Sequence, residues 1–156
     1  MSLGNLIQGS GKFIASDIDC DALSLTKNRL ISLEDRLIIS EGNVLSFFRK
    51  NKKLKYKLIL AGGLFDYLDN REVEFVIKRG FSGLIGGGEI IFTNFSEFNP
   101  YINWIEYLAN WNLIYRSRED IYNIIENAIG DECEIEIILD KTGVTYLTKI
   151  KKYHDA

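Results

Sequence analysis

The chain has 156 residues, with 19 Lys+Arg against 22 Asp+Glu and a formal net charge of −3 at pH 7. Length and a 46% hydrophobic composition fit one globular domain able to bury a core without disulfides or metals. No run reaches the ~18 apolar residues of a membrane helix, no signal peptide opens the chain, and the acidic excess argues against a nucleic-acid partner, so a cytoplasmic protein is expected.

Hydrophobic period then sets out alternating strands and helices. Residues 1–11 read as a tag or disordered lead, and 12–156 as one domain. Lys12 to Asp17 predicts a strand, and Asp19 to Ile31 a helix with Asp19 as its N-cap. Arg36 to Ser40 reads as a second strand, followed by a short helix over Val44 to Lys50. Tyr56 to Ala61 is a buried-type strand running into Gly62-Gly63. Asn70 is expected to cap a helix to about Ser82, and Gly86-Gly87-Gly88 to stop the chain before a strand over Glu89 to Phe95. Pro100 suits the first turn of a helix ending near Asn110, and a further helix runs from Arg118 to Ala128. Two alternating runs, Cys133 to Leu139 and Val144 to Ile150, are joined by the hairpin signal Asp140 to Gly143. The fold class is therefore α/β: an open sheet of parallel strands closing in a C-terminal antiparallel hairpin.

In such sheets ligands bind beyond the carboxyl ends of the parallel strands. Asp17 stands at one such end, where a carboxylate can accept ribose hydroxyls, while Asp19 and Asp21 suit a cap and a first helical turn. Gly62-Gly63 leaves room for a ligand to approach the backbone. Read more plainly, Leu64, Phe65 and Leu68 are core and the glycines a turn. Cys20 and Cys133 form no C-x-x-C pair, so no metal site is expected. His154, the single histidine, lies too near the C-terminus for a catalytic triad.

Taken in order, FIASDIDCDAL, ISEGNV, KLILAGGLFDYL, LIGGGEIIFTNF, NP and WNLIYR resemble consecutive motifs of the class I S-adenosylmethionine (SAM) dependent methyltransferases, a Rossmann-like family. GLFDYL, NF, NP and WNLIYR look closest to bacterial methyltransferases associated with 3-hydroxypalmitic acid methyl ester synthesis. The resemblance spans about residues 12–117. It implies SAM as cofactor, with Asp17 on the ribose, Ile18 beside the adenine, Gly42 and Asn43 in the loop after the next strand with Asn43 at the position that often contacts the adenine amine, and Ala61 and Gly62 along the methionine part. The family's glycine-rich turn and the strand-helix unit carrying it have no counterpart here, since Met1 to Lys12 cannot supply the roughly 30 residues of such a unit.

The acceptor expected from this resemblance is a small-molecule or lipid carboxylic acid, already ionised and needing no general base. Arg116 is the candidate to orient its carboxylate, with Tyr67 and Asn94 as pocket donors; Glu106 could instead pair with Arg116. Two other readings compete. FIASDIDCD also resembles the Asp-x-Asp segment of haloacid-dehalogenase-like phosphatases, with Asp17 as nucleophile and Asp19 as acid. A non-catalytic methyltransferase remnant acting as a folding or interaction module is the third. With the first unit lacking, the strands ending at Asp17 and Ala61 would expose two central edges, so they are expected to pair directly or to be covered in a homodimer.

Overall fold

The structure, a computed structural model, describes residues 11–154; the lead expected over 1–11 lies, but for Gly11, outside the described residues. The chain divides into two compact units, Met1–Asn51 and Lys52–Ala156.

In the first unit, β1 (Phe13–Asp17) and β2 (Leu37–Glu41) form a parallel pair in register from Phe13 opposite Leu37 to Asp17 opposite Glu41. The crossover between them is α1 (Cys20–Arg29) and a 3-10 segment over Ile31–Arg36 that the sequence reading did not separate. Asp19 starts α1 as expected, its carboxylate accepting from the Asp21 and Ala22 amides. α2 (Val44–Lys50) follows β2. Leu23, Leu33 and Phe48 are buried here.

The second unit holds β3 (Tyr56–Ala61), a 3-10 turn (Leu64–Tyr67), α3 (Asn70–Gly83), β4 (Leu84–Phe95), α4 (Ile102–Ala109), α5 (Arg118–Ile129), β5 (Cys133–Leu139) and β6 (Thr145–Lys152). Its sheet has the order β3-β4-β6-β5. β3 and β4 are parallel; β6 runs antiparallel to both β4 and β5, as the hairpin signal predicts. α3 and α5 pack against each other. Phe65, Ile77, Leu84, Ile121, Ile125 and Ile150 are the largest apolar side chains sealed in this core.

Two expectations need correction. The glycine run does not precede the fourth strand but belongs to it, because the ladder shifts register between Tyr56 opposite Leu84 and Leu58 opposite Glu89. Gly88 is required at that irregularity: a Cβ there would meet the Ile85 carbonyl at 2.9 Å and the Tyr56 carbonyl at 3.2 Å. Finally, α3 is capped by Asp69, not Asn70. Asp69 accepts from the Glu72 amide at 2.8 Å while Glu72 reaches back to the Asp69 amide at 3.0 Å, a reciprocal box that satisfies two amides at once.

Candidate functional site

At the carboxyl end of the first unit's sheet, Asp17, Ile18, Gly42 and Asn43 come together. The Gly42 amide donates to the Asp17 carbonyl at 2.8 Å, closing the ends of β1 and β2. The Asp17 side chain is exposed; its Oδ1 accepts from the Asp19 amide at 3.0 Å, and Oδ2 is the oxygen left for a ligand. Ile18 is 74% exposed, a large apolar side chain held in solvent beside that carboxylate. Gly42 has φ 135°, with open space where a Cβ would stand. Asn43 caps α2 by accepting from the Leu45 amide at 2.7 Å, which makes its N–H2 the readier group for an outside partner. Asp19, fixed as the α1 cap by two amides, is poorly placed to act as the acid of a phosphatase.

In the second unit, β3 ends at Ala61 and opens into Gly62, where again nothing would meet a Cβ. Gly63, at φ 70°, donates its amide to the Thr93 hydroxyl at 2.9 Å, tying the turn to β4. Tyr67 follows on the 3-10 turn, exposed, its hydroxyl accepting from the Trp111 indole N–H at 2.9 Å.

Asn94 and Arg116 behave differently. Arg116 is only 2% exposed. Its Nε and Nη2 donate to Asn70 Oδ1 at 3.1 and 3.0 Å, Nη2 also to the Leu68 carbonyl at 2.6 Å, and Nη1 to the Phe65 carbonyl and Asn94 Oδ1, both at 2.6 Å. A guanidinium has five N–H donors, and these five bonds use all of them. No fork remains for an acceptor carboxylate, so the expected role of Arg116 as acceptor clamp is corrected: it ties the turn after β3 and the start of α3 to the end of β4. Glu106 does not pair with it: that side chain is exposed, and all the donors of Arg116 are taken by other partners.

Asn94, 1% exposed, is equally committed. Its amide donates to Asp66 Oδ1 at 2.8 Å and to the Ile114 carbonyl at 2.9 Å while its Oδ1 accepts from Arg116, so it is no pocket donor but a link between a buried carboxylate and a buried cation. The sequence reading missed Asp66, the partner that makes sense of both. Burial pushes its carboxyl up to about 6, opposed by the Phe95 amide bond at 2.7 Å and by the Arg116 charge. Its signal was available: it is the one charged residue in the apolar stretch Leu64 to Leu68. Asn70 and Trp111 were also missed as partners, and neither carries a sequence signal for the bond it makes.

No described protein family matches this sequence, and no curated protein does. Solved structures do share its fold. A possible exported protein of Bordetella parapertussis aligns with TM-score 0.71 and 15% identity over 91% of this chain and 53% of its own. An O-methyltransferase family protein of Burkholderia thailandensis gives 0.68 and 14% over 93% and 44%. The N-methyltransferase NodS of Bradyrhizobium japonicum, solved with S-adenosyl-L-homocysteine, gives 0.62 and 13% over 90% and 66%. The chain thus spans 44 to 66% of the length of these proteins. Its mixed sheet, parallel through β3 and β4 and ending in an antiparallel hairpin, is the fold that it shares with these methyltransferases.

Proposed function

We propose that the chain serves a SAM-dependent methyl transfer to a small-molecule carboxylic acid, a lipid acid such as a 3-hydroxy fatty acid being the narrower form. The observation that carries the reading is the strand-end group of Asp17, Ile18, Gly42 and Asn43, which keeps an exposed carboxylate oxygen beside an exposed apolar side chain.

Each unit by itself carries groups that fit part of the cofactor. In the first, Asp17 Oδ2 suits a ribose hydroxyl, Ile18 offers an exposed aliphatic contact to the face of an adenine, and open space at Gly42 lets the base approach the backbone. The Asn43 N–H2 suits a ring nitrogen of adenine better than the adenine amine, because its Oδ1 already holds the α2 cap. In the second unit, the open Gly62 and the left-handed Gly63 suit the approach of an amino-acid moiety to the end of β3. When bound, SAM supplies an electrophilic methyl group on a sulfonium.

The chain's own part is binding and orientation. A carboxylate acceptor is ionised near neutral pH, so no residue has to remove a proton. Tyr67 is the donor available to it: its oxygen accepts from Trp111, which fixes the ring and leaves the phenolic O–H to donate outward.

Isothermal calorimetry of the full chain with SAM and S-adenosylhomocysteine tests the reading. Binding is expected, weakened at least about tenfold in Asp17→Asn, as loss of a charge-assisted hydrogen bond implies. No heat with either ligand, or equal affinity in the variant, overturns it.

A further inference from the structure

A second exposed surface lies on α4 and its flanks, meeting the turn after β3 where Trp111 donates to Tyr67. No residue of α4 is buried; Ile102 and Ile105 are half-buried and the other six are exposed. The exposed side chains are unusual ones. Trp104 is 66% and Tyr107 88% exposed, and Phe98, Tyr101, Leu108 and Trp111 are exposed around them. Along the helix, Tyr101, Trp104 and Leu108 recur at i, i+3 and i+7, with Tyr107 three residues past Trp104, so they share one side. A solvent-facing helix would normally carry charge there.

We propose that this helix is a self-association surface, on which a second copy of the chain packs its own α4. Three observations favour that occupant. At ~200 Å² for each aromatic side chain, the exposed fractions of Phe98, Tyr101, Trp104, Tyr107 and Trp111 amount to roughly 600 Å² of surface, the larger part of the ~800 Å² that each partner contributes to a stable complex. Composition agrees: interface centres are enriched in Trp, Tyr and Phe and depleted of charge, and Glu106 is the only charged residue of α4. Glu106 lies two residues from Trp104 and from Leu108, around the helix from the aromatic side, so two copies related by a twofold axis bring no like charges together.

Shape and polarity argue against other occupants. A helix with no buried residue forms a ridge, whereas small ligands need concave sites. A helix lying on a lipid surface carries Lys or Arg on its polar side, and here that side offers Asn103, Glu106 and Asn110.

The test uses a convenience of composition, since Trp104 and Trp111 are the chain's only tryptophans. Sedimentation equilibrium of the full chain should give a dimer at micromolar concentration, with Trp emission moving to shorter wavelength as dimer forms. Trp104→Lys with Tyr107→Lys, and Tyr107→Lys alone as the milder change, should keep the circular dichroism spectrum and weaken association at least about tenfold, as removal of an interface anchor does. A wild-type chain that stays monomeric overturns the proposal. So does a dimer indifferent to both variants, which would place the contact elsewhere. An emission shift seen only with vesicles of phosphatidylcholine and phosphatidylglycerol also overturns it, in favour of a membrane.

Discussion

The carboxyl ends of β1 and β4 occupy the same kind of place in a parallel sheet, and both carry a polar residue, yet they are opposites. At Asp17 the carboxylate is exposed and one of its oxygens is uncommitted. At Asn94 every polar atom is used inside the protein, and the neighbouring Arg116 has no N–H to spare. Position at a strand end therefore does not by itself leave a side chain free for a ligand; that depends on how much of its hydrogen-bonding capacity the protein already uses. The closed end works as internal scaffolding, in which the Asn94 amide separates the Asp66 carboxylate from the Arg116 guanidinium and bonds to both.

The contrast is easiest to break at its most buried member. Arg116→Ala strips donors from the Phe65 and Leu68 carbonyls and leaves Asp66 without its cation, so urea unfolding should show a loss of about 3–5 kcal/mol. A loss below about 1 kcal/mol, with acceptor turnover abolished, would return Arg116 to the acceptor.

Asn94→Leu removes the bonds to both charged groups and should cost about 2–3 kcal/mol in the same measurement. A near-neutral result would mean that water or a side-chain rearrangement replaces the amide.

Asp66 gives the comparison a pH dependence. Its carboxyl is raised from 3.8 to about 6 in the folded protein, so the folded state binds the proton more tightly than the unfolded chain. This favours folding fully below about pH 4, fades as pH rises through 6, and is gone above it, a span of about 3 kcal/mol at most. Asp66→Asn keeps acceptor and shape and should remove that component. Stability curves of the two proteins between pH 4 and 7 that run parallel would contradict the burial argument.

The smallest expected effect is at the open end. Asp17→Asn should change stability by no more than about 0.5 kcal/mol, since the side chain is exposed and an amide oxygen can still accept from the Asp19 amide. Its consequence belongs to ligand affinity instead. A destabilisation comparable to that of Arg116→Ala would erase the distinction between the two ends.

Much of this was legible from local signals. Strand β3 and helix α2 lie where the apolar runs predict them, and Asp19 caps α1, because each depends on a few neighbouring residues. The α3 cap was misassigned by one residue: Asp69 and Asn70 are both good caps, and the choice depends on which one faces Glu72 and which one Arg116, 46 residues away. The glycine run read as a stop because single-strand periodicity cannot show an irregular ladder with β3. The residues grouped around Asp17 lie on two short loops, so sequence neighbours bring them together. Asn94 and Arg116, expected to face an acceptor, bond inside the protein instead. Their type and position signal that they bond to something; only the long-range contacts say that the partners are internal.

The two-stranded ladder of β1 and β2 has a consequence in time as well as in shape. A parallel pair five residues long, over a small set of buried side chains, is marginal as an independent element. Its amides should therefore exchange with solvent deuterium sooner than those of β4 and β6, which are paired inside a larger sheet. A ligand held by Asp17 would tie its binding energy to the closing of that ladder. Slower exchange at Phe13–Asp17 and Leu37–Glu41 would then be its earliest trace, measurable even where the average conformation does not change.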